Sequence, residues 1–424
     1  MAESKVSIYP LLAVNFIGTL GLSLVLPFLI FVVERFGGNA VIYGLTASMY
    51  PIFQLVGGPL LGRWSDIYGR KKILLLSQIG TFISWLIFLT AVIIPVTTII
   101  DVNSGVLGNF VLTVPLLLIF IARAFDGITG GNVSVANAYL ADITEDKDRS
   151  KVYGQLSVST NLGFICGPAL AGILSVTEYG EVLPIIAAVF ISFTGILMIF
   201  FMIPESKTHT FHMDSDMGIE KNDEIVSDKS SFMKILRMDG IFILFFIYFL
   251  IFLGYNIFYT AFPAHAANNL RWNATSLGLY FSTLSFLLVI VEGPVLSWIS
   301  KLYSDSSLIT FGSFMLSINF ILIFYGSDLL TFVALFFFAV GNGLMWPSLM
   351  SMLSKTAKKE YQGAVQGIST SFISLASIVG LITGGFMFSF FDTATFLFAA
   401  FMIFIVFLLS FKLRYYKKKD IQRN

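Results

Sequence analysis

Long apolar runs alternate with short polar stretches along the whole chain. An apolar run of about 20 residues is long enough to span the hydrocarbon core of a bilayer. Each such run predicts a helix, because lipid offers no partners for unpaired backbone groups. Twelve runs meet this length, and the predicted helices 1 to 12 cover residues 8–33, 41–61, 73–95, 112–140, 151–175, 182–203, 239–263, 274–299, 307–326, 329–353, 362–388 and 393–412.

The positions of Lys and Arg predict the orientation of these helices. Nearly all of the 26 basic residues lie in the N-terminus, in every second loop starting with loop 2–3, or in the C-terminal tail. Only Arg35, Arg123 and Arg271 lie elsewhere. Basic residues favour the cytoplasmic side of a membrane. We therefore expect a multi-pass protein of the inner membrane with both termini in the cytoplasm.

One polar stretch divides the helices into two sets of six. Residues Glu205 to Asp239 mix acidic residues with Lys and lack apolar periodicity, which is typical of a flexible linker. The predicted domains are a six-helix bundle at 1–204, a cytoplasmic linker at 205–238 and a second six-helix bundle with a basic tail at 239–424. The predicted fold class is all-α integral membrane, with two pseudo-symmetric six-helix bundles.

Composition excludes several other classes of protein. Of the 424 residues, 56% are hydrophobic and only 12% are charged, whereas soluble domains carry about 25% charged residues. The single cysteine cannot form an internal disulfide, and three histidines without a Cys/His cluster argue against a metal site. The chain lacks a nucleotide-binding loop, a nucleophile paired with a base, and a basic stripe for nucleic acid. We expect neither an enzyme nor a cofactor.

Two sequence offsets relate the first half of the chain to the second. The matched residues are Gly58, Pro59, Ser65 and Tyr68 with Gly293, Pro294, Ser300 and Tyr303, and then Gly154, Gly167 and Gly172 with Gly367, Gly380 and Gly385. Repeats of six helices, with substrate bound between them, are an established transporter plan. The repeat is asymmetric in charge, because Asp66 aligns with Lys301 and Asp142 aligns with Lys355. The second half therefore lacks the acidic loop residues of the first.

Loop 2–3 contains a regular pattern of glycine and charge, formed by Gly62, Asp66, Gly69, Arg70 and Lys71. Paired glycines permit a tight turn between two helices. An Asp at this membrane face needs either an Arg or a helix N-terminus as its partner. A basic cytoplasmic loop with turn glycines is the simpler interpretation of the same residues.

Helices 4 and 8 carry charges inside apolar runs. Arg123 and Asp126 are three residues apart in helix 4, so the two charges can neutralise each other, and Glu292 stands alone in helix 8. Charged residues in a membrane span are costly and suggest a function. Burial favours the protonated form of a carboxyl group, and we hypothesise that Asp126 and Glu292 exchange protons during transport. The alternatives are a pair that only joins helices and a neutral Glu292 that hydrogen-bonds a neighbouring helix.

Two further sets of residues are candidates for helix contacts and for ligand contacts. Small residues and a proline in helix 5 predict close packing and a bend; they are Gly154, Gly163, Gly167, Pro168 and Gly172. Polar and aromatic residues inside apolar spans would suit an amphiphilic ligand, although each is also consistent with packing. These cavity candidates are Asn132, Asn137, Tyr255, Asn256, Tyr259, Asn342 and Trp346.

The loop 2–3 pattern, helix 4 and helix 5 together resemble motifs of the major facilitator superfamily. The likeness is to its twelve-helix drug:proton antiporters, and in the segments 50–76 and 138–149 to their tetracycline-resistance branch. The resemblance implies that Asp66 caps helix 11 and that Arg70 pairs with Asp142. Together with Gly62, Gly69, Lys71 and Arg149, these residues would form a conformational latch.

The resemblance also implies roles inside the membrane. Arg123 would tune proton transfer, and the helix 5 residues match a motif associated with exporters, with Ala171 in place of one optional glycine. The chain departs from the tetracycline exporters in helices 1 and 3, where Gly18 and Ser84 occupy the positions of two acidic residues.

These observations predict a proton-driven exporter of a small amphiphilic molecule, which works as a monomer in the lipid bilayer. Its partners would be a small-molecule substrate and protons. The alternative is a transporter of one metabolite, such as a siderophore, a sugar or an amino acid, which could also act as an importer.

Overall fold

The computed structural model of the chain describes residues 7–25, 27–130, 132–144, 149–177, 179–206, 238, 240–356 and 362–421. Most of the predicted linker lies outside these residues. The domain boundaries at 204 and 239 therefore stay a prediction.

Helices occupy the six apolar runs of the first half. Helix 1 has two segments that meet at an angle of 43°, and helix 4 is interrupted at Gly130. The bounds are Tyr9–Leu24 and Leu29–Arg35 for helix 1, Ala40–Tyr68 for helix 2, Arg70–Ile93 for helix 3, Val114–Thr129 and Asn132–Ile143 for helix 4, Arg149–Ser175 for helix 5 and Val182–Met202 for helix 6.

Helices also occupy the six apolar runs of the second half. Helix 8 contains a π-helical turn, where one extra residue widens the helix. The bounds are Ile241–Asn268 for helix 7, Ala274–Ile290, Val291–Val295 and Leu296–Ile299 for the three parts of helix 8, Asp305–Phe324 for helix 9, Asp328–Thr356 for helix 10, Gln362–Phe391 for helix 11 and Thr395–Ile421 for helix 12.

Length and apolarity alone identify nine membrane spans among the described residues, and a tenth when helix 1 is taken as one bent span. Two features account for the difference from twelve. The two segments of helix 4 are each too short to cross a membrane by themselves. Helices 11 and 12 form one continuous apolar stretch, Ser371–Leu413, with a short 3-10 turn inside it. All twelve predicted helices are present in the part of the chain that the structure describes.

Loop 2–3 is shorter than the sequence predicts. Helix 2 continues through residues 62–68, which include the charged Arg63 and Asp66, and Gly69 alone separates it from helix 3. Gly69 has φ 102°, which favours glycine because other residues rarely adopt positive φ. The hydropathy pattern predicted an end at residue 61 that is too early. The last two turns of helix 2 remain helical although they are less apolar than the turns before them.

The connection between helices 3 and 4 is a β-hairpin that the sequence analysis missed. Strand β1, Thr98–Ser104, pairs antiparallel with strand β2, Gly108–Thr113. The start of the predicted helix 4 at residue 112 was wrong for this reason, because residues 112 and 113 belong to β2.

The chain forms two compact units. The first contains Met1–His209, Tyr259–Phe286 and Leu381–Asp392, and the second contains the remaining segments. Parts of helices 7, 8 and 11 thus belong to the same unit as helices 1 to 6. In the first unit helix 1 packs on helices 5 and 6, and helix 4 packs on helices 2 and 3.

Close approaches at two glycine pairs join the helices of the first unit. If Gly172 of helix 5 were replaced by alanine, the added methyl group would lie 2.9 Å from the backbone of Gly278 in helix 8. One on Gly44 of helix 2 would lie 3.1 Å from the Cα of Gly385 in helix 11. Small residues therefore let these helices cross at backbone distance.

Candidate functional site

Arg123 and Asp126 form a buried pair in the first segment of helix 4. Each is 6% exposed, and Arg123 Nη1 lies 3.6 Å from Asp126 Oδ2. The guanidinium group also lies over the ring of Tyr50, 5.1 Å from its centroid. The Nε atom of Arg123 has no hydrogen-bond partner among the described residues. The pair thus neutralises charge without a close hydrogen bond.

Close packing holds this segment of helix 4 against helices 2 and 3. A methyl group on Gly57 would lie 2.7 Å from the carbonyl carbon of Ile128, and one on Gly127 would lie 2.9 Å from Phe53. Gln54 of helix 2 donates hydrogen bonds of 3.0 Å to the hydroxyl of Tyr50 and to the carbonyl of Gly130, where the segment ends. The backbone around the charged pair is therefore held by helix 2 on one side, and helix 3 packs on the same segment, where Ser77 donates a hydrogen bond to the carbonyl of Thr129.

Arg70 is the centre of a charged cluster at the loop 2–3 end of the first unit. Its guanidinium group lies 2.9 Å from Asp142 and 2.5 Å from Asp66, and it donates to the hydroxyl of Ser65 at 2.6 Å. The pair of Arg70 with Asp142, which the family resemblance implied, is present. Residues 357–361, before helix 11, lie outside the described residues, so the capping of helix 11 by Asp66 stays a prediction.

Glu205 belongs to the same cluster, although the sequence analysis missed it. Its Oε1 atom accepts a 3.0 Å hydrogen bond from the backbone N–H of Lys71, at the first turn of helix 3. Gly69 precedes this helix and has no side chain that could cap it. The exposed N–H groups of a helix N-terminus favour a carboxylate. The detectable signal was an acidic residue that directly follows the apolar run of helix 6.

The second unit contains a counterpart of the Arg70 pair with the signs reversed. Lys355 Nζ at the end of helix 10 lies 2.7 Å from Asp305 Oδ2 at the start of helix 9, and Ser351 donates to the same oxygen at 3.0 Å. The two offsets of the repeat align Arg70 with Asp305 and Asp142 with Lys355. The second half lacks the acidic residues of the first, as the sequence indicated, yet it keeps an ion pair at the same place.

The helix 5 glycines contact helix 1 as well as helix 8. A methyl group on Gly163 would lie 2.7 Å from Thr19, and one on Gly167 would lie 2.9 Å from the backbone nitrogen of Leu24. Ser23 of helix 1 donates a 2.9 Å hydrogen bond to the carbonyl of Gly163. The motif is thus a packing surface in the described structure, as its small residues predict.

Glu292 lies in the π-helical turn of helix 8. It is half-buried, and a methyl group on Gly343 of helix 10 would lie 3.4 Å from its Cγ atom. No residue in the described part of the chain hydrogen-bonds or ion-pairs with its carboxyl group. Glu292 belongs to the second unit, whereas Arg123 and Asp126 belong to the first. Such turns often occur at functional sites.

Four of the predicted cavity residues come together in an aromatic region of the second unit. Tyr255 donates a hydrogen bond to Asn342, and Asn256 donates one of 3.1 Å to Ser377. The ring of Trp346 lies 5.0 Å from Phe252 and 5.1 Å from Tyr248. We call Tyr248, Phe252, Tyr255, Asn342 and Trp346 the aromatic cluster. The first two of these were missed in the sequence, where they are indistinguishable from other apolar residues of helix 7.

The other predicted residues lie apart from this cluster. Tyr259 stacks on Phe281 in the first unit, and Asn137 is half-buried in the second segment of helix 4. Asn132, Arg149 and Gly154 lie within helices, but their side-chain surroundings lie outside what the structure describes.

Comparison with known proteins relates the whole chain to one family. The profile described as Major Facilitator Superfamily matches residues 11–247 and 244–424. The chain belongs to this superfamily. Its members are transporters and not enzymes, and the chain is therefore a multi-pass membrane transporter with the twelve-helix major facilitator fold.

Relatives within the superfamily are resistance proteins. The class B tetracycline resistance protein of Escherichia coli is 26% identical over 373 residues, which are 87% of this chain and 85% of the relative. Multidrug resistance protein 1 of Bacillus subtilis is 27% identical over 399 residues, which are 92% and 91% of the two chains. The resemblance that the sequence motifs indicated is confirmed at the level of the family.

Solved structures of the superfamily show the same fold. The D-xylose–proton symporter has a TM-score of 0.72 at 15% identity, with 96% of this chain and 97% of the symporter covered. A bacterial homologue of the human lysosomal transporter Spinster has a TM-score of 0.74 at 13% identity, with 97% and 98% covered.

Proposed function

We propose that this superfamily member exports a small, amphiphilic, drug-like molecule in exchange for protons, through alternating access. The observation that carries the proposal is the buried Arg123–Asp126 pair in helix 4. An acidic residue inside a membrane span is expensive and is usually kept for ion or proton movement. Asp126 is buried next to a cation that does not hydrogen-bond it closely, so its protonation state can respond to small changes in the distance between the two groups.

The aromatic cluster is the proposed substrate surface. The half-buried rings of Phe252 and Trp346 pack on the buried rings of Tyr248 and Tyr255, and Asn342 and Asn256 provide polar groups close by. Ligand sites commonly combine mostly apolar walls with a few polar groups that orient the ligand. An amphiphilic molecule has the matching distribution of apolar and polar surface.

The relatives support export as the direction. The proteins to which the chain is similar are named for resistance to tetracycline and to multiple drugs, and resistance by a transporter requires removal of the drug. The helix 5 glycines pack closely on helices 1 and 8, and their spacing resembles the motif associated with exporters.

The remaining features of the proposal concern organisation. Gly62, Asp66, Gly69, Arg70, Lys71, Asp142 and Arg149 would act as the conformational latch. The bundles would comprise 1–204 and 239–424, joined by 205–238, with both termini in the cytoplasm and a monomer as the working unit.

Proton coupling is tested with purified protein in liposomes under an imposed pH gradient. We expect Asp126→Asn and Glu292→Gln to lose gradient-driven uptake of a fluorescent cationic drug. The matched control is Asp101→Asn, which neutralises an exposed acid in the β-hairpin. Full coupling in both membrane variants would overturn the assignment of these acids.

The substrate class is tested in a host that lacks its own drug exporters. Expression of the chain should lower the accumulation of several unrelated amphiphilic compounds. The replacement Trp346→Ala should abolish this effect while the amount of protein in the membrane is unchanged. Accumulation of one metabolite in a deletion strain, without any drug phenotype, would contradict the proposal.

A further inference from the structure

The β-hairpin between helices 3 and 4 is firmly attached to the first unit. The N–H of Val111 in β2 donates a 2.8 Å hydrogen bond to the carbonyl of Gly37, and the hydroxyl of Thr113 donates one of 2.8 Å to Phe36. Asn39 donates to the carbonyls of Leu107 and Asn109 at 2.9 and 3.2 Å. The hairpin is therefore held in one orientation by strand β2 and its turn.

Gly37 makes this attachment possible. It has φ 96°, and a methyl group there would lie 2.6 Å from the carbonyl oxygen of Val111. Only glycine combines positive φ with so close an approach. The position of the hairpin therefore depends on a glycine at residue 37, just after helix 1.

The two faces of the hairpin differ in polarity. Neighbouring residues of a strand point to opposite faces. One face contains Ile100 paired with Leu112 and Val102 paired with Phe110. The other face contains the polar residues Asp101, Asn103 and Asn109, together with the attached Val111.

The apolar face is incompletely covered by the protein. Ile100 is 54% exposed, and its neighbour Ile99, at an irregularity of the strand pairing, is 49% exposed. Asp101 is the only charged residue between helices 3 and 4. Exposed strands in water usually carry several charges or a proline that prevent association. This strand lacks such protection, so its apolar face requires a covering.

Exposed apolar residues precede this face in the chain, at the end of helix 3 and in the segment that follows it. Ile93, the last residue of helix 3, is 67% exposed, and Val96 is 57% exposed just before β1. Strand β2 ends at Thr113, and helix 4 begins at the next residue. Both ends of the hairpin are therefore fixed where membrane helices end.

We infer that the hairpin lies on the bilayer surface, with Ile100 and Val102 among the lipid headgroups and upper acyl chains and with Asp101 and Asn103 in water. An amphipathic element in this position buries its apolar side chains in the membrane interface. The hairpin then connects the bilayer surface to residues 36–39, between helices 1 and 2. This inference does not depend on the transported substrate.

The test uses environment-sensitive fluorophores on single cysteines of the full chain. The one native cysteine, the exposed Cys166, is replaced by alanine. Ile100→Cys and Asp101→Cys are then made separately, labelled, and reconstituted in vesicles with and without lipids that carry a quencher near the headgroup. We expect a blue-shifted and strongly quenched label at position 100, and an unshifted, weakly quenched label at position 101.

A second pair on the same strand, Val102→Cys and Asn103→Cys, repeats the comparison if a label at position 100 disturbs folding. Equal quenching at both positions of a pair would overturn the inference, and so would no quenching at either. Protection of position 100 without lipid quenching, accompanied by cross-linking between two copies at that cysteine, would instead show that a second chain covers the face.

Discussion

The two halves of this transporter place their membrane charges in different helices. The first half buries Arg123 and Asp126 in helix 4, where the repeat aligns them with Phe336 and Ala339 of helix 10. The second half carries Glu292 in helix 8, where the first half has Gly57. Helices 2 and 4 of the first half correspond to helices 8 and 10 of the second half. In the first half the titratable groups lie on helix 4, and in the second half the titratable group lies on helix 8, the equivalent of helix 2.

The charged clusters at the helix ends differ in a similar way. The first half pairs Arg70 with Asp66 and Asp142. The aligned residues of the second half are Asp305, Lys301 and Lys355, of which Asp305 and Lys355 form an ion pair. Every sign is reversed, yet an ion pair joins the same two helices in each half. The difference teaches that the repeat preserves the pairing of helices and not the identity of the paired residues.

The largest effect is expected at the helix 4 pair. Either Arg123→Gln or Asp126→Ala alone leaves one charge buried without its partner, which typically costs about 3 to 5 kcal/mol. We expect a smaller yield of folded protein from either variant than from the parent chain, measured by size-exclusion chromatography in detergent; reconstitution in liposomes uses the folded fraction. The double variant Arg123→Gln with Asp126→Asn should recover folding, because the second half folds with uncharged residues at these positions, but it should not recover transport. Recovery of transport would show that the pair is only structural.

The next largest loss of stability is expected when Gly57 of helix 2 is substituted, and the adjacent Gly58 provides the comparison. Gly57→Ala forces a methyl group into the backbone of helix 4, and overpacking of this kind costs about 1 to 3 kcal/mol. Gly58→Ala is the matched control, because a methyl group there meets nothing within 4 Å. Gly343→Ala in helix 10 should be intermediate, since it meets the side chain of Val291 and not a backbone. Thermal unfolding of the three purified variants measures the order, and equal melting temperatures for Gly57→Ala and Gly58→Ala would contradict the packing argument.

A smaller effect is expected when the Arg70 cluster is disrupted. Arg70 is 15% exposed and contacts two carboxylates, so Arg70→Asp should reduce stability by about 1 to 3 kcal/mol. The triple variant Asp66→Lys, Arg70→Asp and Asp142→Lys copies the signs of the second half and should regain most of that stability. Transport by the triple variant separates the two roles: normal transport would show that the pairing alone is needed, and lost transport would support the proposed latch.

The smallest effect is expected in the Lys355–Asp305 pair of the second half. The side chain of Lys355 is 70% exposed, and exposed ion pairs contribute about 0 to 1 kcal/mol. Lys355→Met should therefore change the melting temperature little, and any change should disappear in high salt. A loss as large as that of Arg70→Asp would show that the two clusters are energetically equivalent.

Hydropathy was sufficient to predict the helices but not their ends. Residues 62–68 include the charged Arg63 and Asp66, yet they continue helix 2, because a helix persists beyond the lipid as long as its backbone is paired. The hairpin was missed because its strands are short and stand beside much longer apolar runs. The break in helix 4 at Gly130 was missed for a related reason, since glycine is common within membrane helices.

The residues of the candidate sites were predictable to different degrees. Arg123, Asp126 and Glu292 were visible in the sequence, because each charge interrupts an apolar run. Glu205 and Asp305 were missed, because each contacts a partner far along the chain; the one sign of Glu205 in the sequence was its position just after the apolar run of helix 6. Glu205 accepts its hydrogen bond from the backbone of Lys71, on a different helix.

The sequence by itself determined the number of spans, the division into two repeats and the charges that enter the membrane. These properties depend on the free energy of transferring a short segment from water into lipid, and that free energy is set by the residues of the segment itself. The tertiary structure alone decided which residue each charge contacts, how closely helices 2 and 4 approach, and which face of the hairpin remains uncovered. These properties depend on helices that are distant in sequence and meet only when the chain is packed, so no local pattern contains them.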